Sequence, residues 1–293
     1  MSRIEVLKTY KIYIGGKFPR TESGRFYTPK IGGKSLGNIC LSSRKDVRNA
    51  VVAARSAFGG WSNATAYNRS QVLYRIAEML EGRKAQFVDE LVQQASTKAT
   101  AEKEVNAAID RIIYYAGWCD KYTQLFSSVN PVATSHFNFT APEPTGVVSI
   151  IAPKENSLIG LVSTIMPVIA SGNSCVVLAS ENLPLCAITF AEVLNSSDVP
   201  GGVVNILTGK RSELLEHMAS HMDVNAFYYG GNDKKEMLAI QKAAVENLKR
   251  VRIKDFSKIY SSEHETPYYI EDFLEMKTTW HPIEKIGAAG SGY

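Results

Sequence analysis

The chain has 293 residues, of which 45% are hydrophobic and 21% are charged, and its formal net charge is +4. This length can bury the core of one large domain or two ordinary ones, and the composition is typical of a soluble globular protein. The mild charge, with no run of Lys or Arg, excludes an obvious nucleic-acid-binding protein. The longest apolar segment, 158–170, is too short to span a bilayer, and the N-terminus lacks a secretory pattern. We therefore expect a cytoplasmic protein with no nucleic-acid or membrane partner.

The cysteines and histidines indicate no metal site. The four cysteines occur singly, without metal-ligand spacing: Cys40, Cys119, Cys175 and Cys186. Cys175 and Cys186 lie in apolar patterns and are interpreted as small core residues, and a reducing compartment fits. His217 and His221 are four residues apart, as metal ligands on a helix are, but no third ligand is near in sequence. We interpret both as surface residues.

The first predicted elements are a hairpin and a helix. Residues 10–18 alternate around Gly15-Gly16, a pattern that predicts two strands joined by a tight turn. Ser43 is a plausible N-cap for a helix with one apolar face. The pair Gly59-Gly60 predicts that this helix stops there.

Two further helices and an extended segment follow. The pattern predicts a helix over 66–93, with a possible interruption at Gly82, and another after Ser96 as far as Trp118. Their aromatic side chains are interpreted as core. The segment 126–139 is predicted to be extended and interrupted by polar residues.

The centre of the chain alternates short apolar strands with helices. The strands are predicted over 147–152, 175–178, 203–207 and 226–229, and the helices over 158–170, 186–194, 212–220 and 233–247. This alternation predicts an α/β fold with a doubly wound parallel sheet covered on both faces. In such sheets ligands bind at the carboxyl ends of the strands.

Three motifs in this region resemble the cofactor-binding domain of the NAD(P)-dependent aldehyde dehydrogenases. They occur in that family's order and at its usual intervals: Glu143-Pro144-Thr145-Gly146-Val147-Val148, Ala170-Ser171-Gly172-Asn173-Ser174-Cys175-Val176-Val177, and Pro200-Gly201-Gly202-Val203-Val204-Asn205-Ile206-Leu207-Thr208-Gly209. The resemblance implies a Rossmann-like cofactor-type domain formed by 1–125 and 142–252. It also implies a small antiparallel oligomerisation platform formed by 126–141 and 268–293, with 253–267 as a linker that replaces the catalytic domain.

One subgroup resembles this chain more than the superfamily at large. The stretches Ala152-Pro153-Lys154-Glu155-Asn156, Gly209-Lys210-Arg211 and Phe227-Tyr228-Tyr229-Gly230 are similar to the degenerate second unit of the two-headed aldehyde dehydrogenases. In those proteins a complete enzyme unit is followed by a copy that lacks the catalytic domain. The resemblance covers nearly the whole chain except about 254–275.

The residues that carry the family's chemistry are missing. The family needs a cysteine thiolate, a glutamate base and an asparagine amide that stabilises the oxyanion. No cysteine here has the family's sequence context, Lys254 stands at the glutamate position, and Glu155 or Asn156 stands at the asparagine position. We therefore predict no catalytic residues.

The candidate cofactor-binding residues are those that match the family's motifs: Ala152, Pro153, Lys154, Ser180, Glu181, Gly209, Gly230 and Gly231. Leu178 replaces the lysine that contacts the adenine ribose in the family, and the loop after Gly209 has lost its second glycine. Glu181 alone is typical of a helix start, Lys210 and Arg211 are interpreted as a solvated pair, and the helix after Gly231 can still attract an anion. NAD or NADP binding is therefore expected to be weak or lost.

Three functions remain open from the sequence. The first is a non-catalytic subunit, a pseudoenzyme that forms homo-oligomers or hetero-oligomers with a complete aldehyde dehydrogenase. The second is an NAD(P)-binding component that acts on aldehydes only with a partner that supplies the cysteine and the base. The third is a homodimer that binds a nucleotide-like ligand for sensing.

Overall fold

Short strands and five helices form the N-terminal part of the chain, in a computed structural model that describes residues 8–283. The strands are β1 (Thr9–Tyr10), β2 (Phe26–Tyr27), β3 (Lys30–Ile31), β4 (Lys34–Ser35) and β5 (Asn38–Cys40). The helices are α1 (Arg44–Ser62), α2 (Ala66–Gly82), α3 (Lys84–Gln93), α4 (Lys98–Ala116) and α5 (Tyr122–Phe126). The predicted break at Gly82 is confirmed, because α2 ends at that residue.

The turn at Gly15-Gly16 is confirmed, but the two strands predicted around it are wrong, because the hairpin is reduced to one bridge between Ile14 and Lys17. Ile14 and Lys17 exchange backbone hydrogen bonds of 3.0 Å across the turn. Both glycines have positive φ, 60° and 77°, which tight two-residue turns require. Just before Ile14, Tyr13 forms an antiparallel bridge with Ile206 of the central sheet instead of extending the hairpin.

Helix α1 begins where the sequence predicts but continues beyond the two glycines. Ser43 and Asp46 form a capping box at its start. The predicted stop at Gly59-Gly60 is wrong, because α1 ends at Ser62. In its last turn Trp61 is fully buried, and its indole N–H donates a 2.9 Å hydrogen bond to the Ile169 carbonyl. This tertiary contact offsets the cost of about 1 kcal/mol per helical glycine.

The second half of the chain contains two sheets. Its elements are β6 (Ser128–Asn130), β7 (His136–Pro144), β8 (Val147–Ile151), α6 (Ile159–Ala170), β9 (Ser174–Leu178), α7 (Leu185–Asn195), β10 (Val204–Leu207), α8 (Arg211–Ser220), β11 (Ala226–Gly230), α9 (Lys234–Ala244), β12 (Arg250–Lys254), α10 (Tyr268–Glu271) and β13 (Leu274–Pro282). The central sheet is parallel throughout, in the order β10-β9-β8-β11-β12.

Helices cover both faces of the parallel sheet, so the predicted doubly wound α/β fold is confirmed. Strands β8 to β11 are buried at every position, which explains their continuous apolar sequences. Helices α1, α8 and α9 pack on one face. Helices α6 and α7 pack on the other, with α2, α3 and α4 outside them.

The predicted antiparallel sheet is also confirmed, in the order β13-β7-β6. Strand β13 pairs with β7 from Leu274↔Pro144 to Pro282↔His136. The domain ranges themselves stay a prediction, and three of their boundaries fall inside elements of structure. The boundary 125/126 lies in α5, 141/142 lies in β7 and 252/253 lies in β12. The last residues of the range 268–293, 284–293, lie outside the described part.

Candidate functional site

A cleft of about 380 Å³ opens at the carboxyl ends of β8, β11 and β12. This is the edge at which parallel sheets bind ligands. The residues that line the cleft come from the end of β11, the loops after β8 and β11, the start of α8 and the start of the segment 255–273: Pro153, Lys154, Glu155, Asn156, Arg211, Tyr229, Gly230, Gly231, Asn232, Asp233, Asp255, Phe256, Ser257, Ile259 and Tyr260.

A charged network around Glu236 includes two of the lining cations, Lys154 and Arg211. Its carboxylate accepts hydrogen bonds from Lys154 Nζ at 3.0 Å, Arg211 Nη1 at 3.1 Å and the Tyr229 hydroxyl at 2.5 Å. Burial by itself would raise the pKa of Glu236, but the hydrogen bonds from Tyr229 and Lys154 and the charge of Arg211 lower it. Glu236 is therefore an anion that neutralises both cations.

Arg211 is a buried structural residue, so its interpretation as part of a solvated pair is wrong. Only 3% of the residue is exposed, and its guanidinium also donates to the Ala152 carbonyl at the end of β8. Lys210, next to it, is exposed as expected. Arg211 therefore fills the space between β8 and α9.

The predicted residues in the loop after β9 stabilise neighbouring loops and helices. The Ser180 hydroxyl donates to the Lys154 carbonyl at 2.7 Å and accepts from the Leu183 N–H at 3.1 Å. Glu181 accepts from the Arg211 backbone N–H, the first of α8, at 3.1 Å. An acidic group at a helix N-terminus is stabilising. Here Glu181 follows β9, and the helix that it stabilises is α8, which follows the next strand, β10.

The three predicted glycines allow close packing of the chain against itself. A Cβ on Gly230 would lie 2.8 Å from Pro153 Cδ, and one on Gly231 would lie 2.9 Å from the Tyr229 ring. Gly209 has φ of +156°, and a Cβ there would lie 3.3 Å from the Ser42 nitrogen. Protein atoms therefore occupy the space that the missing side chains leave.

The N-terminus of α9 is capped by a carboxylate of the chain itself. Asp233 accepts from the backbone N–H groups of Lys235 at 2.8 Å and Glu236 at 3.2 Å. These two hydrogen bonds lower the pKa of Asp233. The Asp233 carboxylate therefore occupies the helix N-terminus, where the sequence predicted that an anion could bind.

These contacts do not fit the pyrophosphate of a dinucleotide. A pyrophosphate needs free N–H donors and uncompensated positive charge. In the cleft the α9 amides are capped, both cations pair with Glu236, and Asp233, Asp255 and Glu155 add negative charge.

The lysine at the family's glutamate position is engaged elsewhere, and the cysteines are buried. Lys254 Nζ lies 2.9 Å from the Asp272 carboxylate and over the Tyr269 ring. All four cysteines are buried and unpaired. Burial raises the pKa of Cys119 to about 12 and also raises those of Cys175 and Cys186, the opposite of what a reactive thiolate requires.

The structure thus brings together four of the eight predicted cofactor-binding residues as lining of the cleft: Pro153, Lys154, Gly230 and Gly231. The others, Ala152, Ser180, Glu181 and Gly209, are not among the lining residues. Sequence reasoning missed Glu236 and the contribution of residues 255–260. The spacing Asp233-x-x-Glu236, a cap followed by an acidic residue in the first helical turn, could have pointed to the first.

Two absences hold for residues 8–283. No group of three or more His, Cys, Asp or Glu side chains is arranged to hold a metal ion. His217 on α8 and His221, the residue that follows this helix, instead lie with ring centroids 6.0 Å apart. Within the same residues, no helix combines the length and the apolar character needed to cross a membrane.

Comparison with known proteins agrees with this architecture. The chain matches the aldehyde dehydrogenase family over residues 17–254, and it therefore belongs to that family. DhaS of Bacillus subtilis (strain 168), a putative aldehyde dehydrogenase by its description, is 32% identical over 251 residues, which are 84% of this chain and 50% of DhaS. The cytosolic 10-formyltetrahydrofolate dehydrogenase of Mus musculus is 28% identical over 260 residues, 86% of this chain and 29% of that protein.

Solved structures give the same result. The NAD+ complex of an aldehyde dehydrogenase from Bacillus cereus is 25% identical with a TM-score of 0.78, over 84% of this chain and 50% of that one. HpcC from Thermus thermophilus is 25% identical with a TM-score of 0.80, over 85% of this chain and 48% of that one. The chain thus spans about half of these structures and half or less of the curated relatives.

Proposed function

We propose that this protein is a non-catalytic member of the aldehyde dehydrogenase family, a pseudoenzyme that acts through association with itself or with a complete aldehyde dehydrogenase. One observation carries the proposal. After β12 the chain passes through a short segment, 255–273, directly into β13, which returns to pair with β7. The resemblance expects the catalytic domain between these two strands.

The segment 255–273 is an integral part of the fold, which supports this proposal. Phe256, Ile259 and Phe273 are buried in the main core. Arg111 of α4, only 2% exposed, donates to the Ile259 carbonyl at 3.2 Å and to the Glu265 carboxylate at 3.3 Å. A separate catalytic domain from a partner would have to displace this packing, which argues against assembly of the site in trans.

The platform supports the association. Val129, Phe137 and Phe139 lie on one face of the antiparallel sheet and line a shallow cleft of about 330 Å³. Val129 is 68% exposed, and among residues 8–283 no further strand pairs with the outer edges of β6 and β13. An exposed apolar face beside open strand edges is a typical protein-binding surface.

The mass of the purified chain in solution, with and without a complete aldehyde dehydrogenase, tests the association. We expect an oligomer or a complex, and we expect the variant Val129→Asp to lose it because a charge enters the apolar face. Tyr67→Asp on α2, where the side chain is 70% exposed, is the matched control. A monomer that binds no aldehyde dehydrogenase would contradict the proposal.

The alternative, an NAD(P)-binding component of a larger enzyme, is favoured by similarity to structures that contain NAD. Calorimetric titration with NAD and NADP separates the two functions. The capped α9 and the neutralised cations lead us to expect no saturable heat, whereas binding at millimolar affinity or tighter favours the alternative. We also propose a cytoplasmic location, which four unpaired buried thiols support.

A further inference from the structure

Strand β13 is the longer of the two edge strands of the antiparallel sheet. It has nine residues, whereas β6, at the opposite edge, has three. Every residue of β13 after Leu274 is exposed, and among residues 8–283 no strand pairs with its outer side. An edge of this length exposes backbone groups that can pair with another strand.

The pairing with β7 determines which backbone groups of β13 face outward. At one end the Thr145 N–H donates to the Phe273 carbonyl at 3.2 Å. At the other end the Ile283 N–H donates to the Ser135 carbonyl at 3.0 Å. Hydrogen-bonded and non-hydrogen-bonded pairs alternate in an antiparallel ladder, so the odd-numbered residues bond to β7 and the even-numbered residues point their N–H and C=O groups outward. The central outward-facing residues carry no charge: Met276, Thr278 and Trp280.

A second copy of β13 fits this edge when it runs antiparallel with Thr278 on the two-fold axis. This register overlaps the whole strand, because Thr278 is its central residue. It places Met276 opposite Trp280 of the second copy, and these two side chains are 43% and 56% exposed. It also places the Glu275 carboxylate opposite the second copy's His281, whose ring can donate a hydrogen bond to it. Pairs of both kinds stabilise neighbouring strands.

The ends of the edge fit the same register. Leu274 falls opposite Pro282 of the second copy, which has no N–H. Arg250 Nη1 of the same chain already donates to the Leu274 carbonyl at 2.5 Å, so this carbonyl needs no donor from the second copy. Arg250 also pairs with Glu275, whose side chain is nevertheless 55% exposed.

The neighbouring registers are less favourable. The alternation of the ladder allows shifts of two residues only, because a shift of one residue places outward-facing groups opposite inward-facing ones. A shift in one direction brings the Lys277 side chains of the two copies directly opposite each other, and like charges in that position are destabilising. A shift in the other direction separates Glu275 from His281. Both shifts shorten the ladder and break the contact between Met276 and Trp280.

We propose that two copies of this chain pair along β13, in the register centred on Thr278, and form one continuous antiparallel sheet with three strands from each copy. The inference rests on the association proposed above, and it specifies the second copy as the partner and β13 as the strand that binds it. Val129 lies on β6, outside this ladder. The two associations can therefore be tested by different variants.

Proline at position 278 tests the backbone pairing in the whole protein. Thr278→Pro removes an N–H that faces away from β7, so the pairing within the platform is retained. Thr278→Ala is the matched control, since it keeps that N–H and loses the same 2.9 Å side-chain hydrogen bond to Thr140. Sedimentation over a concentration series measures the dissociation constant of the dimer. We expect Thr278→Pro to weaken the dimer roughly a hundredfold and Thr278→Ala to weaken it less than about fivefold.

Two single-cysteine variants test the register. Lys277 and Thr279 of the second copy form a non-hydrogen-bonded pair in the proposed ladder, and such pairs bring Cα atoms into disulfide range. We expect mild oxidation of an equal mixture of Lys277→Cys and Thr279→Cys to link one copy of each. Mass spectrometry identifies the linked species. Lys277→Cys oxidised by itself measures the competing register, and the wild type, whose four cysteines are buried, is the control.

Three outcomes would overturn the inference and leave the proposed function intact. They are a monomer that binds a complete aldehyde dehydrogenase, a dimer that Val129→Asp dissociates but Thr278→Pro does not, and a disulfide that links mainly two copies of Lys277→Cys. A monomer that binds no aldehyde dehydrogenase contradicts both proposals. Protection of the Lys277 and Thr279 amides from hydrogen exchange in Thr278→Pro establishes that its platform is folded, because these amides bond to β7.

Discussion

The parallel sheet and the loops at its carboxyl edge belong to one domain, yet they differ in what they retain of the family. Strands β8 to β11 are buried at every position and keep the family's apolar motifs. Between the loops after the same strands lies a self-neutralised network around Glu236, whose contacts do not fit a pyrophosphate. Packing constrains the sheet residue by residue, whereas a site can be lost without loss of the fold.

The largest difference between the two regions is expected in stability. Phe227→Ala on β11 removes a fully buried ring from the sheet's core, and we expect a loss of about 3–5 kcal/mol of unfolding free energy. Denaturant titration measures it. Tyr67→Ala, at an exposed position of α2, is expected to change stability by less than about 0.5 kcal/mol. Equal losses in the two variants would refute the assignment of the core.

Glu236 is the strongest test of the edge network. Glu236→Gln leaves Arg211 buried without its carboxylate partner. We expect the unfolding free energy to fall by about 3 kcal/mol. Because the folded pKa of Glu236 lies below its ordinary value of 4.5, this stabilisation is fully present above about pH 5.5 and disappears as pH falls through the folded pKa.

Unfolding free energies of wild type and Glu236→Gln, measured from pH 7 to pH 3, test that dependence. The difference between the two proteins should stay constant down to about pH 5.5 and then narrow. A difference that grows as the pH falls would show that the carboxyl group is protonated in the native state.

Arg111 tests whether the segment 255–273 is as well packed as the sheet. Arg111→Met leaves the Ile259 carbonyl and the Ser163 hydroxyl without their donor, at a cost of about 2 kcal/mol. We expect a protease to cleave the segment 255–273 faster in Arg111→Met than in the wild type. Mass spectrometry of the fragments measures this rate. Arg75→Met, at an exposed ion pair on α2, should leave the cleavage rate unchanged. Protection of the segment in Arg111→Met would indicate that other contacts hold it.

The smallest expected change in stability is at Glu181, where stability and cofactor binding can be measured separately. Glu181→Gln replaces the carboxylate that accepts from the first N–H of α8 with a neutral amide. We expect a loss of about 0.5 kcal/mol of unfolding free energy. The titration heats with NAD and NADP should not change. Glu102→Gln, exposed on α4, is the control for stability. A cofactor signal that is present in the wild type and absent in Glu181→Gln would restore Glu181 to a binding role.

The sequence by itself determined the order of strands and helices and the family. Alternation of apolar strands with amphipathic helices is a local signal, and it predicted every strand of the parallel sheet except β12. Strand β12 lies within the residues that match the family, but the pattern did not predict it as a strand. The departures from the family's catalytic motifs were also readable, because Lys254 and the contexts of the four cysteines are matters of residue identity.

Tertiary structure alone decided what the remaining site residues do. Arg211 has the sequence context of an exposed loop residue, but the approach of α9 buries it against Glu236, 25 positions along the chain. Likewise, Phe256 and Ile259 were predicted to lie in a linker, and Arg111, 148 positions before Ile259, contacts that segment. The burial of a charge and its partner depends on contacts distant in sequence, which periodicity and motif spacing do not encode.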